Sequence, residues 1–353
     1  MFVYVGAFTQ PPIGHGEGIS VFQFDSASAE LTPVQTLIGI DSPAFLAADP
    51  TSRFLYSVNE VDEGAVTSFA RDLGSGKLTA LNRQATHGAS PCYVSLDAGA
   101  RYLLVTNYSG ETVTVLPIDN DGRLQPASCV VRHQGSSINP VRQEKAHPHM
   151  VAPTPDGHFV LATDLGVDRI MVYELDTEAG QLVPNRRGPA YVSAEPGAGP
   201  RHFAFAPNGR TVYVINELAS NLTVYDYSGD RGELKARQTV SSLPSDFSGE
   251  NTCAHVVVST DGRFVYGSNR GHDSIAIWAV ESESGELRLV DNEPTRGINP
   301  RHFATDSSGT WLLAANEKSD TIVTFRRDSA SGKLTATGQV TETPSPVAIL
   351  FAP

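Results

Sequence analysis

The stretch PRHFAFAPNGRTVYVINE, residues 200–217, decides the fold of this 353-residue chain. It holds two apolar runs on either side of the sequence Pro207, Asn208 and Gly209, which is typical of a β-hairpin turn. The same frame occurs six times, over residues 43–60, 91–108, 148–165, 200–217, 253–270 and 300–317. The frame stays fixed while the intervals between copies vary. This indicates a repeat architecture whose length variation lies in loops.

Each copy predicts two antiparallel strands, and the sequence after it predicts two more. A third strand is indicated at residues 274–280, SIAIWAV. A fourth follows a Ser-Gly-x-Leu turn, found at residues 75–78, 284–287 and 331–334. Four short antiparallel strands per repeat are typical of a β-propeller blade. No sustained helical periodicity is present, so we predict an all-β protein.

A seventh copy begins at residues 346–351, close to the end of the sequence. The strand it lacks has the pattern of residues 211–214, TVYV, and residues 2–5, FVYV, match that pattern. We therefore predict a seven-bladed β-propeller of four-stranded antiparallel blades, one domain over residues 1–353. Its ring closes by pairing of the N- and C-terminal segments, which removes two exposed sheet edges. The period is longer than that of WD40 repeats, and the Trp-Asp signature is absent.

The formal net charge of −13 disfavours binding to nucleic acid or to anionic membranes. No apolar run approaches the roughly 18 residues of a membrane helix, and the N-terminus has no signal-peptide pattern. The three cysteines, Cys92, Cys129 and Cys253, are widely spaced and fit a reducing compartment. We predict a cytoplasmic protein without nucleic-acid or membrane partners. The oligomeric state stays open.

Two positions of the repeat differ from blade to blade, as functional positions should. The residue after the opening position is Ala44, Cys92, His149, Arg201, Ala254, Arg301 or Val347. The residue after the Asn or Asp that ends the frame is Glu60, Tyr108, Leu165, Glu217, Arg270 or Glu317. Both columns flank the inner strands. We predict that their ionisable members form a ring at one mouth of the channel: His149, Arg201, Arg270, Arg301, Glu60, Glu217 and Glu317.

Three arginines near one axis of an acidic protein indicate an anion site, because clustered like charges are costly without compensation. The alternative is that these charges are solvated or pair between blades. His147 and His149 form a His-x-His pair, but Pro148 interrupts the strand geometry that a metal site would need. We expect no metal and no cofactor. His202, His255 and His302 share another column, which we interpret as packed and hydrogen-bonded behind the channel wall.

Four motifs together resemble the propeller-type lactonase family. They are GPRHF at 199–203, NEL at 216–218, DLGVDR at 164–169 and SNRGHDSI at 268–275. The family includes bacterial 6-phosphogluconolactonases and fungal 3-carboxy-cis,cis-muconate lactonizing enzymes, and the resemblance covers the whole chain. It implies a cofactor-independent enzyme with its site at one mouth of a seven-bladed propeller.

The resemblance also implies roles for individual residues. His149, with His147 as the near alternative, Arg201 and Glu217 match the catalytic His, Arg and Glu of the muconate enzymes. Arg270 and Arg301 would bind the anion, and we predict that His147 and Glu317 also contact the substrate. The chain departs from the family at His255, where relatives usually carry an acid. That change alters the local charge and puts the identity of the substrate in question.

The leading hypothesis is metal-independent hydrolysis of 6-phosphoglucono-lactone or a similar sugar lactone. Either His149 or Glu217 takes the proton of the attacking water, and Arg201 stabilises the oxyanion. A second hypothesis is lactonization or delactonization of a carboxylated muconate. A third is a non-catalytic propeller that binds other proteins. It predicts an exposed apolar patch, of which the sequence gives no sign.

Overall fold

The computed structural model describes residues 1–282 and 284–352 and contains seven antiparallel sheets, each one blade. The first blade contains β1 (Phe2–Ala7), β2 (Gly18–Phe24) and β3 (Leu31–Ile38). The second contains β4 (Leu46–Ala48), β5 (Phe54–Asn59), β6 (Ala65–Arg71) and β7 (Leu78–Ala85). The third contains β8 (Pro91–Leu96), β9 (Tyr102–Asn107), β10 (Thr112–Pro117) and β11 (Cys129–Arg132). The fourth contains β12 (Pro148–Pro153), β13 (Val160–Asp164), β14 (Arg169–Asp176), β15 (Gln181–Pro184) and β16 (Tyr191–Ser193).

The fifth blade contains β17 (Pro200–Phe205), β18 (Thr211–Asn216), β19 (Asn221–Ser228) and β20 (Glu233–Ser241). The sixth contains β21 (Thr252–Val258), β22 (Phe264–Arg270), β23 (Ser274–Val280) and β24 (Leu287–Pro294). The seventh contains β25 (Pro300–Thr305), β26 (Trp311–Asn316), β27 (Thr321–Arg327) and β28 (Leu334–Glu342). Strand β29 (Pro346–Ala352) returns to the first blade. The helix among the described residues is a single 3₁₀ turn, Glu317–Ser319, and none there is long and apolar enough to span a bilayer.

The ring closes in the first blade, as predicted from the sequence. Strand β29 is the innermost strand of that blade and pairs antiparallel with β1, with Tyr4 opposite Leu350 and Val5 opposite Ile349. On its other edge β1 pairs with β2. Backbone groups that would otherwise form two open sheet edges therefore satisfy each other. The prediction of a seven-bladed, all-β propeller with paired ends is confirmed.

The fourth blade differs from the expected four strands. Strand β15 pairs only with the far half of β14, from Tyr173 to Asp176. The separate strand β16 pairs with the near half, from Arg169 to Met171. Pro184 ends β15, and a proline cannot donate the hydrogen bond that would continue the ladder. The outer edge of this blade is consequently built from two short strands.

Neighbouring blades pack through the buried apolar side chains of their strands. Between the fifth and sixth blades, Trp278 is fully buried beside Ile215 and Val265. Gly267 makes room for this indole, because a Cβ at Gly267 would lie 2.9 Å from the Trp278 ring and 2.8 Å from Ile215. A fully buried side chain of this size stabilises the fold by about 2–3 kcal/mol. Blade stacking thus supplies the core that one sheet lacks.

A β-bulge near the start of most inner strands prepares the functional end of the channel. In the fifth blade Pro200 pairs with Asn216 and His202 with Ile215, so Arg201 has no partner residue. The same irregularity leaves Cys92, His149 and Arg301 unpaired in their blades. A bulge turns the extra side chain out of the regular alternation. In the fifth blade it lets Arg201 and the next residue, His202, both lie at the channel.

Candidate active site

Inner strands begin, and the next strands of each blade end, at the same end of the ring, which we call the mouth. The predicted ring residues all lie there. They are Glu60, His149, Arg201, Glu217, Arg270, Arg301 and Glu317. Arg201 and Arg270 contact Glu217 directly, and Arg301 faces Glu60. The two repeat columns therefore converge as the register predicted.

A recurring backbone bond holds the second column in place. The N–H of Glu217 donates to the carbonyl of Gly199 at 2.7 Å, and the N–H of Glu60 donates to Ser42 at 2.9 Å. Gly199 adopts φ +66°, which favours glycine, and its N–H donates to Asp168 Oδ1 at 2.7 Å. Each mouth acid is thus fixed to the residue that precedes the inner strand.

Glu217 is the common partner of three arginines. Its Oε2 accepts from Arg201 Nε at 2.9 Å and lies 2.9 Å from Arg270 Nη2. Its Oε1 accepts from Arg142 Nη2 at 2.6 Å. The Glu217 and Arg201 side chains are 4% and 3% exposed, so these charges attract each other with little screening by water. We call these four residues the Glu217 cluster.

The charges of the Glu217 cluster fix each other's protonation. Burial opposes ionisation of Glu217, but Arg270 and Arg201 hold its pKa far below the usual range. Burial and the neighbouring Arg270 lower the pKa of Arg201 to about 9, which still leaves it cationic at neutral pH. Glu217 is therefore a permanent carboxylate at neutral pH, with both oxygens occupied by protein donors.

Glu60 and Arg301 lie in a different environment. Glu60 Oε1 is 3.8 Å from Arg301 Nη2, which is beyond hydrogen-bond distance, and Glu60 Oε2 is buried without a partner. The Arg301 guanidinium stands 4.9 Å from the centre of the Phe8 ring. Within residues 1–282 and 284–352, it donates no hydrogen bond. Glu317, nearby, accepts from Asn299 Nδ2 at 2.8 Å.

Burial raises the pKa of Glu60 to about 7, because Arg301 and Arg201 only partly offset the loss of water and Glu317 adds repulsion. For Arg301, burial opposes the charge, but Glu60 and Glu317 raise its pKa. The mouth thus holds one carboxylate that is always ionised and one carboxyl that changes protonation near neutral pH.

His149 lies between these two regions and is buried. Its Nδ1 is 3.8 Å from Cys92 Sγ, and its ring meets Tyr108 edge-on at 5.6 Å. Its Nε2 has no hydrogen-bond partner in the described part of the chain. Burial and the charge of Arg201 hold the pKa of His149 well below its usual range. At neutral pH His149 is an uncharged imidazole that can accept a proton.

Below the mouth, five rings form an aromatic layer: Phe45, Tyr93, His202, His255 and His302. The Phe45 ring, from the second blade, lies 5.9 Å from His202 of the fifth and 5.4 Å from His302 of the seventh. Rings from opposite blades therefore meet on the axis. The His202 and His255 Nδ1 atoms are 2.8 Å apart, so one donates to the other.

The aromatic layer confirms that these histidines are packed and hydrogen-bonded, but the expectation that they lie behind the channel wall is wrong. The bulge turns His202 toward the channel directly after Arg201, and the rings fill the channel itself. Burial lowers the pKa of His302 to about 3 and holds that of His202 and His255 well below their usual range. The layer adds no positive charge beneath Arg201 at neutral pH.

His147 lies one step outward from the other predicted site residues. Its Nδ1 is 3.0 Å from the Tyr108 carbonyl, its Nε2 is 3.2 Å from Glu144, and its ring stacks on Tyr108 at 4.3 Å. Both ring nitrogens already have protein partners. His147 supports Tyr108, and through it His149.

Arg142 and Tyr108 belong to the site but were not selected from the sequence. Arg142 donates to the Tyr108 hydroxyl at 3.2 Å as well as to Glu217. Tyr108 follows Asn107 and so occupies the second column, which was a usable signal. Arg142 lies in the loop between β11 and β12, outside the repeat frame, where register says nothing about position.

The donor set of the mouth is mainly arginine, glutamate and single histidines. Across the described ranges, no group of three or more His, Cys, Asp and Glu side chains is arranged to hold a metal ion. The expectation of a site without metal or cofactor stays a prediction. The arrangement can bind an anion, stabilise an oxyanion and exchange a proton.

Comparison with known proteins gives one consistent result. The family model described as "Lactonase, 7-bladed beta-propeller" matches residues 2–351. The 6-phosphogluconolactonase of Bacillus subtilis is 37% identical, covering 99% of this chain and 97% of its own length. The 6-phosphogluconolactonase of Formosa agariphila is 34% identical over 94% of each chain. The solved structure of a periplasmic gluconolactonase from Pseudomonas aeruginosa has a TM-score of 0.94, with 36% identity, covering 100% of this chain and 99% of that one.

Proposed function

The chain belongs to the family of seven-bladed β-propeller lactonases, and we propose that it hydrolyses 6-phosphoglucono-lactone or a closely similar sugar lactone to the open acid. The observation that carries this proposal is the Arg301 guanidinium. It lies at the mouth over Phe8 and has no protein hydrogen bond in the described chain, while Arg201 and Arg270 are bound to Glu217. An arginine left with its donors unused suits a phosphate or carboxylate.

His149 is the proposed base. Its uncharged Nε2 is free to take a proton from a water that attacks the lactone carbonyl, whereas Glu217 has both oxygens occupied by guanidiniums. A positioned base typically contributes about 10²–10⁴-fold. The structure therefore favours His149 over Glu217, a choice that the sequence left open.

Arg201 is the proposed oxyanion partner. Its Nε donates to Glu217 and its Nη1 donates to the Ala254 carbonyl at 2.7 Å, so its orientation is fixed before substrate binds. Its Nη2 has no partner among residues 1–282 and 284–352. A fixed donor facing a developing negative charge costs no reorganisation during the reaction. Glu217 acts here as the counter-ion that fixes the guanidinium.

Relatives named for phosphorylated and for unphosphorylated lactones are almost equally similar to this chain, at 37% and 36% identity, so substrate choice is argued from the charges at the mouth. Four arginines at the mouth face three glutamates, and burial raises the pKa of one of these, Glu60, to about 7. This positive balance favours the phosphorylated lactone. We also keep the cytoplasm as the expected location, which cell fractionation tests.

The test is hydrolysis of freshly made 6-phosphoglucono-δ-lactone and of glucono-δ-lactone, each corrected for spontaneous opening. We expect the phosphorylated lactone to be preferred. We expect Arg201→Ala to lower kcat by about 10²–10³-fold on both, because it removes the oxyanion partner. Arg301→Leu should raise KM by about tenfold on the phosphorylated lactone only.

Arg326→Ala is the matched control, since Arg326 is exposed on β27, away from the mouth. It should leave both substrates unchanged. Hydrolysis of the unphosphorylated lactone alone would keep the site and change the substrate. A folded protein that is inactive on both lactones would contradict the proposal. A carboxylated muconate would then be the next substrate to test.

A further inference from the structure

Glu60 is the acid at the mouth that has a buried carboxyl oxygen without a hydrogen-bond partner in the described part of the chain. Its Oε2 is buried without a hydrogen bond, and its nearest cation, Arg301 Nη2, is 3.8 Å from Oε1. A buried polar atom without a partner costs about 1–3 kcal/mol and is rarely retained without a reason. Glu217, at the same repeat position three blades away, accepts from three guanidiniums. The contrast needs an explanation beyond packing.

The Glu60 side chain is partly open to the mouth. It is 17% exposed, beside an arginine that is 19% exposed. Rotation about the terminal torsion of a glutamate is easy, so the two oxygens can exchange places. Its backbone is fixed by the N–H bond to Ser42, so the carboxyl moves around a fixed point.

The groups that face Glu60 come from several elements. They are Arg301 on β25, Arg201 on β17, Glu317 after β26 and the thiol of Cys92 on β8. Burial raises the pKa of the Cys92 thiol to about 12, so it stays neutral. On its own loop, Asp62 and Glu63 are exposed to solvent. Burial therefore dominates over the partly cancelling charges of Arg301 and Glu317.

We propose that Glu60 is a further catalytic residue, the general acid that protonates the ring oxygen of the lactone as it leaves. This inference rests on the proposed lactonase function. Pairs of carboxyl groups whose surroundings drive their pKa values apart commonly divide charge stabilisation and proton transfer between them. Here Glu217 fixes arginines, and Glu60 carries the proton.

The steps balance. Water forms a bond to the carbonyl carbon and gives one proton to His149 Nε2, while the π electron pair of the carbonyl moves onto its oxygen, beside Arg201. This pair re-forms the carbonyl in the next step. The bond from that carbon to the ring oxygen then breaks, and its electron pair leaves on the ring oxygen, which takes the proton of Glu60. His149 afterwards releases its proton to solvent, and Glu60 regains one. The product acid ionises, so each turnover releases one proton overall.

The experiment measures kcat and KM against pH, from pH 5.5 to 8.5, for the wild type, Glu60→Gln, Glu60→Asp and Glu63→Gln. The protonated form of Glu60 is the active one, so wild-type kcat should fall as pH rises through about 7. Glu60→Gln should lower kcat at least about 10²-fold and abolish this fall, with little change in KM. Glu60→Asp should recover part of kcat and restore the fall. The exposed Glu63→Gln should behave like the wild type.

A second substrate separates acid catalysis from a structural effect. A thiolactone leaves as a thiolate, which needs no proton, so Glu60→Gln should lose much less on the thiolactone than on the oxygen lactone. Equal losses on both would overturn the proposal. So would a Glu60→Gln enzyme that keeps the alkaline fall, or one in which only KM rises, which would mean that Glu60 merely positions Arg301. An inactive wild type would overturn the proposed function, and the acid role with it.

Discussion

Glu217 and Glu60 occupy the same position of the repeat, one residue after a blade asparagine, yet they sit in opposite environments. Three guanidiniums lie within 2.9 Å of Glu217, whereas a single one lies 3.8 Å from Glu60. The first pKa is held far below the usual range, and the second is raised to about 7. The propeller thus uses one backbone position to make both a permanent charge and a proton carrier.

The difference comes from the residues that surround each glutamate, in its own blade and in the next, and not from the glutamates themselves. Arg270 reaches Glu217 from the next blade, and Arg201 reaches it from the same one. The blade after Glu60 offers Cys92 and Tyr108, which carry no positive charge. A repeat protein can therefore change the chemistry of one column by changing the residue beside it.

The largest expected effect comes from removing the charge of Glu217. Glu217→Gln leaves Arg201, Arg270 and Arg142 without a counter-ion in a poorly hydrated site, which should lower the free energy of unfolding by about 3–5 kcal/mol. Urea denaturation at pH 7 measures this, with Glu63→Gln as the exposed control. In the wild type, the contribution of ionised Glu217 to stability is fully present above the pKa of this group in the unfolded chain. It is lost as pH falls through the lowered pKa of Glu217 in the folded protein. A loss no larger than that of the control would break the comparison.

Glu60→Gln should raise the free energy of unfolding at alkaline pH, whereas Glu217→Gln lowers it. The pKa of Glu60 is about 7 in the folded state against an ordinary value of 4.5, so the folded protein holds this proton more tightly. Between these two values stability falls as pH rises, by about 3 kcal/mol in all. The variant lacks this fall. It should match the wild type at pH 5 and be more stable at pH 8.

Urea denaturation at pH 5 and pH 8 tests this second prediction. Glu63→Gln, which changes the same charge in an exposed position, should show no such difference between the two pH values. A Glu60→Gln protein that is less stable than the wild type at pH 8 would mean that the carboxylate is well paired, which contradicts the contrast with Glu217.

The smallest effect is expected for Arg142→Gln. The Arg142 side chain is 38% exposed, and Glu217 keeps Arg201 and Arg270 when it is lost. We expect a loss of about 1 kcal/mol or less, reduced further at high salt. Denaturation in low and high salt measures it. A loss as large as that of Glu217→Gln would show that the loop between β11 and β12 holds the cluster together.

The fold was predictable because its information is repeated. Six copies of one frame fix strand order and register, and the match between residues 2–5 and 211–214 identified the shared blade. The prediction that was wrong concerns one blade, the fourth, which has five strands and not four. The split edge of the fourth blade follows from Pro184, which stops β15, and no repeat-wide pattern carries that information.

The candidate site was predictable as a set of residues but not as a set of environments. Register brought Arg201, Glu217 and Arg270 together correctly. It could not place Arg142, which lies outside the frame, or the rings around His202, since the bulge at Arg201 breaks the alternation on which counting depends. The sequence shows a glutamate at both position 60 and position 217. It could not show that the pKa of Glu60 is raised and that of Glu217 lowered, because these shifts depend on burial and on surrounding charges.

The aromatic layer affects how small molecules enter and leave the central channel. Rings from opposite blades, such as Phe45 and His202, lie 5.9 Å apart between their centres and narrow the channel below the mouth. For the proposed reaction, we expect the substrate to enter and the product to leave at the mouth, past Arg301. For the proposed phosphorylated substrate, the open-chain acid keeps the phosphate and gains a carboxylate, so we expect it to compete for the same arginines. We therefore expect release of the product at the mouth to contribute to the rate of turnover.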